Sequence, residues 1–411
     1  MASGHDHADP SQLVPLEVQR QEVLERITAL EPLELSLLEA HGCVLAEDVV
    51  AREDVPGFAN SAMDGYAVRA DGAGDGGELK VVGEVAAGTS SDRTVEPGEA
   101  MGIMTGAPVP PGADAIIPIE QVTERGDRIV VESAPQVGAH IRPAGESVRA
   151  GETVLHAGRM LGAADVGMLA ACGTAFVRVH PRPRVAVIST GNELVEPGRP
   201  LGPGQIRDSN SYTLVAAARE AGAMSFRQMF VRDDRRALAE AFEGALATSD
   251  MLVVSGGVSA GRYDFVKKVL AEMGDVAFRK VAIKPGMPQA FGFVQDVPCF
   301  GLPGNPVSAF VSFEIFVRPA IRRLQGRKDL NRPRVSARVD EPMRSSAHRV
   351  EFVRVRLRRG EDGWRAVSTG EQGSGILRSA VEADGLAEIG VGRDHVAADE
   401  TVVVHLLADP V

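Results

Sequence analysis

The stretch CFGLPGNPVSAFVSF, residues 299–313, sets two glycines and two prolines around Asn305, between an apolar run and a helix-like one. Asn305 is of the type that caps a helix, and Pro306 suits a helix's first turn. Gly304, beside Pro303, would let bare backbone approach a ligand. Free N–H groups at such a helix start favour an anion. A rigid strand-to-helix corner with no ligand would use the same residues, so the stretch alone leaves both readings open. It is not a Walker loop, because the Gly-Lys-Ser/Thr ending is missing.

Other loops of the same region carry reactive types. GNEL holds Glu193, and FVRDD holds Asp233 and Asp234. SGGVSAGRYD runs from Ser255, Gly256 and Gly257 to Asp264. AIKPGMPQAFG holds Lys284, four residues after Lys280. Carboxylates in such loops commonly hold magnesium, which bridges phosphate oxygens. A lone Asp at a helix start is more often a cap, which applies to Asp208, Asp233 and Asp234. Earlier in the chain, Asp64-Gly65 reads as a turn and Thr105 lies in a Gly/Pro-stiffened loop, MTGAPVP.

The elements that must position these residues change texture along the chain. Residues 12–48 look helical, with Val14, Val18, Leu24 and Ile27 at roughly helical spacing and a stop at Gly42. Short β-rich pieces between turns follow over 49–147 and read as a small all-β module. Residues 148–182 include a second helical stretch, GRMLGAADVGMLAACG. From 183 to 328, apolar runs such as RVAVIST and DMLVVSGG alternate with helices such as SNSYTLVAAAREAG, with Ser209 as cap and Gly222 after its end. That alternation predicts a parallel sheet with right-handed crossovers, whose ligands bind at the strands' carboxyl ends. Alternating strands over 329–411 predict a small β-barrel or sandwich. The fold class is thus multidomain α/β plus β.

A chain of 411 residues suggests about two to four domains. No apolar run approaches a membrane span, so no membrane insertion is expected. Residues 1–11 are small and polar, lack the apolar core of a secretory signal, and read as a disordered tail with solvated His5 and His7. Cys43, Cys172 and Cys299 are far apart in apolar settings, which predicts buried free thiols in a reducing cytoplasm. The net charge of −12 argues against nucleic acid. That charge is uneven, since residues 318–360 carry fourteen Lys and Arg against four Asp and Glu. Such a segment suits an anionic ligand or a charged arginine-rich surface.

Taken together, NSAMDGYAV, GIMTGAPVPPGADAIIPIE, VAVISTGNEL, SGGVSAGRYDFVK, AIKPGMPQAFG and LPGNPVSAFVSFE resemble the molybdenum-insertion enzymes of molybdenum cofactor synthesis, the MoeA proteins and gephyrin E domains. The resemblance runs from about residue 12 to the end. It implies an elongated helical subdomain from residues 12–48 and 148–182, the inserted module 49–147, a molybdopterin-binding α/β domain 183–328 and a C-terminal barrel. It implies a cytoplasmic homodimer whose site lies between the α/β domain of one subunit and the β module of the other. The implied reaction takes adenylylated molybdopterin, molybdate and Mg2+, and releases AMP. Molybdopterin adenylyltransferase and molybdoenzymes are the implied neighbours. A gephyrin-like scaffold for peptide tails of membrane-receptor or cell-division proteins is the rival expectation.

By resemblance, Lys280 and Lys284 bind molybdate or phosphate, and Glu193, Asp233 and Asp264 handle metal and pterin. Asp64 and Thr105 close over the site from the partner, Ser374 lies near molybdate, and Arg349 adds positive field. Ser255, Gly256, Gly257 and Pro303 to Pro306 line the pocket. Two departures stand out: Ser147 replaces a family acid, and Asn192 precedes the retained Glu193. A hydroxyl cannot supply a carboxylate's charge or accept its proton.

Overall fold

The computed structural model describes residues 10–228, 231, 234–258 and 265–408. They form two compact units. One comprises the chain through Leu33, Gly42–Ala46 and Val179 onward; the other comprises Glu34–His41 and Glu47–Arg178.

Helix α1 (Leu16–Arg26) starts after Pro15, which fixes its first turn, and buries Leu16, Gln19 and Val23. The sequence places Val18 on the same stripe as Leu24 and Ile27, but Val18 is 51% exposed. The helix is shorter than expected, and the chain is extended over Leu33–Ser36, just after Pro32. Leu16, Val23 and Ile27 join the core of the first unit, beside Val185, Leu214 and Phe300.

The second unit is built on a six-stranded sheet of β1 (Gly65–Val68), β2 (Glu78–Val85), β3 (Glu99–Ile103), β4 (Ala115–Pro118), β5 (Val122–Arg125) and β6 (Arg128–Val131), in the order β4-β1-β3-β2-β6-β5. Both faces are buried, Val68, Ile117 and Ile129 on one and Ala67, Met101 and Ile116 on the other. Helix α2 (Ala163–Ala171) belongs to this unit.

The α/β part of the first unit runs β7 (Arg184–Ser189), α3 (Asn210–Glu220), β8 (Met224–Arg227), α4 (Arg235–Leu246), β9 (Met251–Ser255), α5 (Phe265–Met273), β10 (Asp275–Lys280), β11 (Ile283–Lys284), β12 (Pro288–Val294), β13 (Val297–Leu302), α6 (Pro306–Ser312) and α7 (Arg318–Leu324). One π-helical turn, Phe313–Val317, joins α6 to α7. The sheet order is β8-β7-β9-β13-β12-β10. Its first four strands are parallel, as the alternation predicts, but β12 and β10 add antiparallel. The reversal follows from a two-residue turn between β12 and β13, in which Gln295 and Asp296 both take positive φ.

The C-terminal strands are β14 (Arg334–Val339), β15 (Val350–Gly360), β16 (Gly363–Ser368), β17 (Gly385–Ile389) and β18 (Thr401–Leu406). Pairing runs β15-β16-β14-β18-β17 and closes from β17 back to β15, so this is a barrel rather than a sandwich. Val339, Val353, Val355, Ala387 and Val404 fill it. β11 leaves the α/β sheet and pairs with β15. Among the described residues no helix is long and apolar enough to cross a membrane. Cys43, Cys172 and Cys299 are buried free thiols, and burial pushes the Cys299 thiol up to about 12.

Candidate functional site

The carboxyl ends of β9 and β13 are tied together through one side chain. Asn210, the first residue of α3, donates from Nδ2 to Ser255 Oγ at 2.8 Å and to the Gly304 carbonyl at 2.7 Å. Ser255 Oγ lies 3.3 Å from the Pro303 carbonyl, to which it donates. Gly256 has φ +93°, and a Cβ there would lie 2.7 Å from the Thr190 carbonyl oxygen, so only glycine fits. Gly257 is also left-handed, at φ +68°. The loops at 190, 256 and 304 thus meet as nearly bare backbone. Beside them, the hydroxyls of Ser189 and Thr190 are buried without a hydrogen-bond partner. Buried hydroxyls normally find one, so two orphans at a strand end mark a place for a ligand's polar groups.

The helix start at 305–306 differs from its expected form. Asn305 makes no side-chain cap. Its Nδ2 donates to Ser374 Oγ at 2.9 Å, and the Ser374 carbonyl accepts from Val307 N at 3.0 Å. Pro306 has no N–H to offer. The barrel loop therefore takes the first available N–H of α6, which the sequence leaves open to an anion, and ties the corner to the barrel. Similarly, Asp208 rather than Ser209 caps α3, its Oδ1 accepting from Ser211 N. Asp234 caps α4 through Ala237 N, as its position predicts.

Lys284 and Glu351 face each other in the β11–β15 pairing, Nζ 3.2 Å from Oε1. The Glu351 side chain is 4% exposed and its other oxygen accepts from Ser346 N at 3.0 Å. The lysine is thereby held at one end of its reach while remaining partly exposed. Gly286, two residues on, packs against Ser308 and Ser312 of α6. Arg349 sits in the turn entering β15, its N–H donating to the Ser346 carbonyl. Lys280 ends β10, exposed, with its carbonyl accepting from Val14 N. Its ammonium has no ion-pair partner among the described residues.

Glu193 is exposed, and its carboxylate folds back over Gly191, where a Cβ would stand 2.6 Å from either oxygen. Its loop is pinned by Ile206 N donating to the Glu193 carbonyl and by an Arg227–Glu196 ion pair at 2.6 Å. Asp233 and Asp264 lie outside the described residues. Among those described, no group of three His, Cys, Asp or Glu could hold a metal. Glu193 fits magnesium only as a single carboxylate, a coordination this ion accepts when phosphates and water complete its shell.

In the other unit, Asp64 Oδ1 accepts from Thr105 N at 2.7 Å. That backbone hydrogen bond holds the Asp64 carboxyl below its usual range. Phe58, Met63 and Met104 stand exposed in the same two loops.

Sequence reasoning missed Ser189, Thr190, Asn210, Glu351 and Arg354. Arg354 is 1% exposed, donates from Nε to Ser379 Oγ and from Nη2 to the Gly373 carbonyl, and has no carboxylate within ion-pair distance among the described residues. Burial drives its guanidinium down to about 10, with Glu351 pulling it back up, so it stays charged at neutral pH under the loop that carries Ser374. The available signal was an arginine in a stretch, EFVRV, buried on both faces.

Three family descriptions match in order: the MoeA N-terminal region (domain I and II) over residues 14–173, a probable molybdopterin binding domain over 186–323, and the MoeA C-terminal region (domain IV) over 336–407. The chain belongs to the MoeA family. Molybdopterin molybdenumtransferase 2 of Mycobacterium tuberculosis is 43% identical over 89% of this chain and 93% of its own length. Molybdopterin molybdenumtransferase of Haemophilus influenzae is 38% identical over 96% of this chain and 100% of its own. A MoeA crystal structure from Pyrococcus horikoshii, 34% identical, superposes with a TM-score of 0.80 over 96% of this chain and 99% of that one. The closed barrel and the α/β domain are therefore MoeA parts in MoeA order.

Proposed function

We propose that this chain inserts molybdenum from molybdate into adenylylated molybdopterin, releasing AMP and completing the molybdenum cofactor, in the cytoplasm. The observation that carries this is its near full-length likeness to MoeA relatives named molybdopterin molybdenumtransferases. The strand-end geometry supports it. Ser189, Thr190 and the 256–257 and 303–304 backbone offer hydrogen-bonding groups to a polar heterocycle. Lys284, steadied by Glu351, supplies fixed positive charge where a phosphoanhydride or molybdate would sit, and preorganised charge is what a phosphoryl-oxygen leaving group needs. Lys280, Arg349 and Ser374 extend that polar rim. Magnesium, held by Glu193 together with substrate phosphates, would neutralise charge on the departing AMP. Molybdopterin adenylyltransferase would supply the substrate and molybdoenzymes would take the product.

We further propose a homodimer in which Asp64 and Thr105 act on the site of a second copy. The exposed apolar side chains beside them support this, since Phe58, Met63 and Met104 have no other evident use on a surface.

Purified chain supplied with adenylylated molybdopterin and molybdate is expected to release AMP and to activate a molybdenum-free molybdoenzyme. Lys284→Ala should lower the rate by on the order of 10²-fold. No AMP from well-folded wild-type protein would defeat the proposal.

A further inference from the structure

The basic segment at 318–360 is only partly absorbed by the strand-end site. Part of it borders a cavity of about 530 Å³ at the opposite end of the α/β sheet. Its walls are Thr28 and Ala29 after α1, His180 four residues before β7, and Arg323, Gly326, Arg327, Lys328 and Leu330 at and beyond the end of α7. Because α6 and α7 run back from the carboxyl end of β13, the end of α7 lies at the strands' amino ends.

The turn that shapes the cavity is specific. Gly326 has φ +71°, and a Cβ there would lie 2.6 Å from His180 Cδ2. The chain can cross the imidazole face only with glycine. His180 Nδ1 lies 2.8 Å from the Leu30 carbonyl, which requires a proton on Nδ1. Nε2 is then an acceptor in the neutral ring and a donor when the ring is protonated.

Charge around the cavity is not balanced. Asp329 pairs with both Arg322 and Arg327, and Glu314 pairs with both Arg318 and Arg332 behind them. Among the described residues the Arg323 guanidinium bonds only the Ile27 carbonyl, at 3.4 Å, and the Lys328 ammonium has no partner. Arg322 Nε is buried without a hydrogen bond. Burial, and then the charge of Arg327, push the Arg322 guanidinium down to about 10. A helix carboxyl end attracts cations and accounts for Arg322 and Arg323. It does not account for Arg327 and Lys328 beyond the turn.

We propose that this cavity binds a small organic phosphomonoester, its phosphate between Arg323 and Lys328 and its body against Ala29, Leu330 and the Thr28 methyl. The volume falls in the roughly 300–1,000 Å³ range of organic-ligand sites and is too large for a bare oxyanion. Such a site is separate from the molybdopterin site and does not depend on it.

The test follows the His180 Cε1–H resonance in ¹³C-histidine-labelled full-length protein, assigned with His180→Gln, during titration with phenyl phosphate, inorganic phosphate and phenol. Phenyl phosphate is expected to shift it saturably, inorganic phosphate more weakly, and phenol not at all. The Arg323→Ala/Lys328→Ala double variant, both side chains being exposed, should raise the phenyl phosphate Kd at least about tenfold. Lys284→Ala should leave it unchanged. An unmoved resonance, an unchanged Kd in the double variant, or inorganic phosphate binding as tightly as the ester would each overturn the proposal.

Discussion

Glu314 lies one helical turn before Arg318, and both side chains are almost wholly enclosed. Burial alone would raise the Glu314 carboxyl. Hydrogen bonds and charge from Arg332 and Arg318 reverse that and leave it below its ordinary value of 4.5. A carboxyl lowered by folding stabilises the native state above its unfolded pKa, and that contribution disappears as pH falls through the folded value. Melting temperature should therefore drop on acidification below 4.5, and the drop should be shallower in Glu314→Gln. At neutral pH the same variant leaves a buried guanidinium short of its anion and should cost about 3–5 kcal/mol by denaturant unfolding. Equal acid slopes for the two proteins would refute this account. Ser147, by contrast, is exposed, and its N–H bonds the Val55 carbonyl.

At the scale of elements, Asn210 joins α3 to the ends of β9 and β13 through two hydrogen bonds. Asn210→Ala removes two donated hydrogen bonds, a loss of roughly 1–3 kcal/mol. It should raise the KM for adenylylated molybdopterin more than it lowers kcat, and Asn210→Asp should not rescue it, because a carboxylate accepts where a donor is needed. A pure stability loss with unchanged KM would count against the positioning role. Asn210 also shows where sequence reading stops. The α/β strands and helices and the strand-end loops follow from local period and turn residues, and so does Asp234 as a cap, whereas closure of the barrel does not. The Val307 N–H in the first turn of α6 is taken by the Ser374 carbonyl, and Asn305 bonds the hydroxyl of the same residue, 69 positions away. The inward face of α1 turns away from Val18 because the partners that select it, Val185 and Phe300 among them, are distant in sequence. Arg354 reads as a surface arginine until closure of the barrel buries it.

For the whole molecule, the homodimer proposal makes a genetic prediction. Asp64→Asn and Lys284→Ala subunits, each inactive alone, should give mixed dimers with about half of the sites intact, if each site draws on two chains. Coexpression that restores no AMP release would mean that both residues serve within one chain.

The join between the α/β domain and the barrel also bears on how this protein could be divided. Ser374 holds the start of α6, β11 is a barrel strand made from α/β sequence, and Arg332 reaches back to Glu314. The stretch after residue 328, which falls between the two family matches, is thus no boundary in the folded matter. A chain stopped there should purify without a cooperative melt, with α6 frayed and Glu314 short of an arginine. Protease nicks in the 326–333 linker should leave the two fragments associated until denaturant is added. Shuffling this barrel onto another α/β domain would carry across a loose helix end unless Ser374 and its receiving turn moved together.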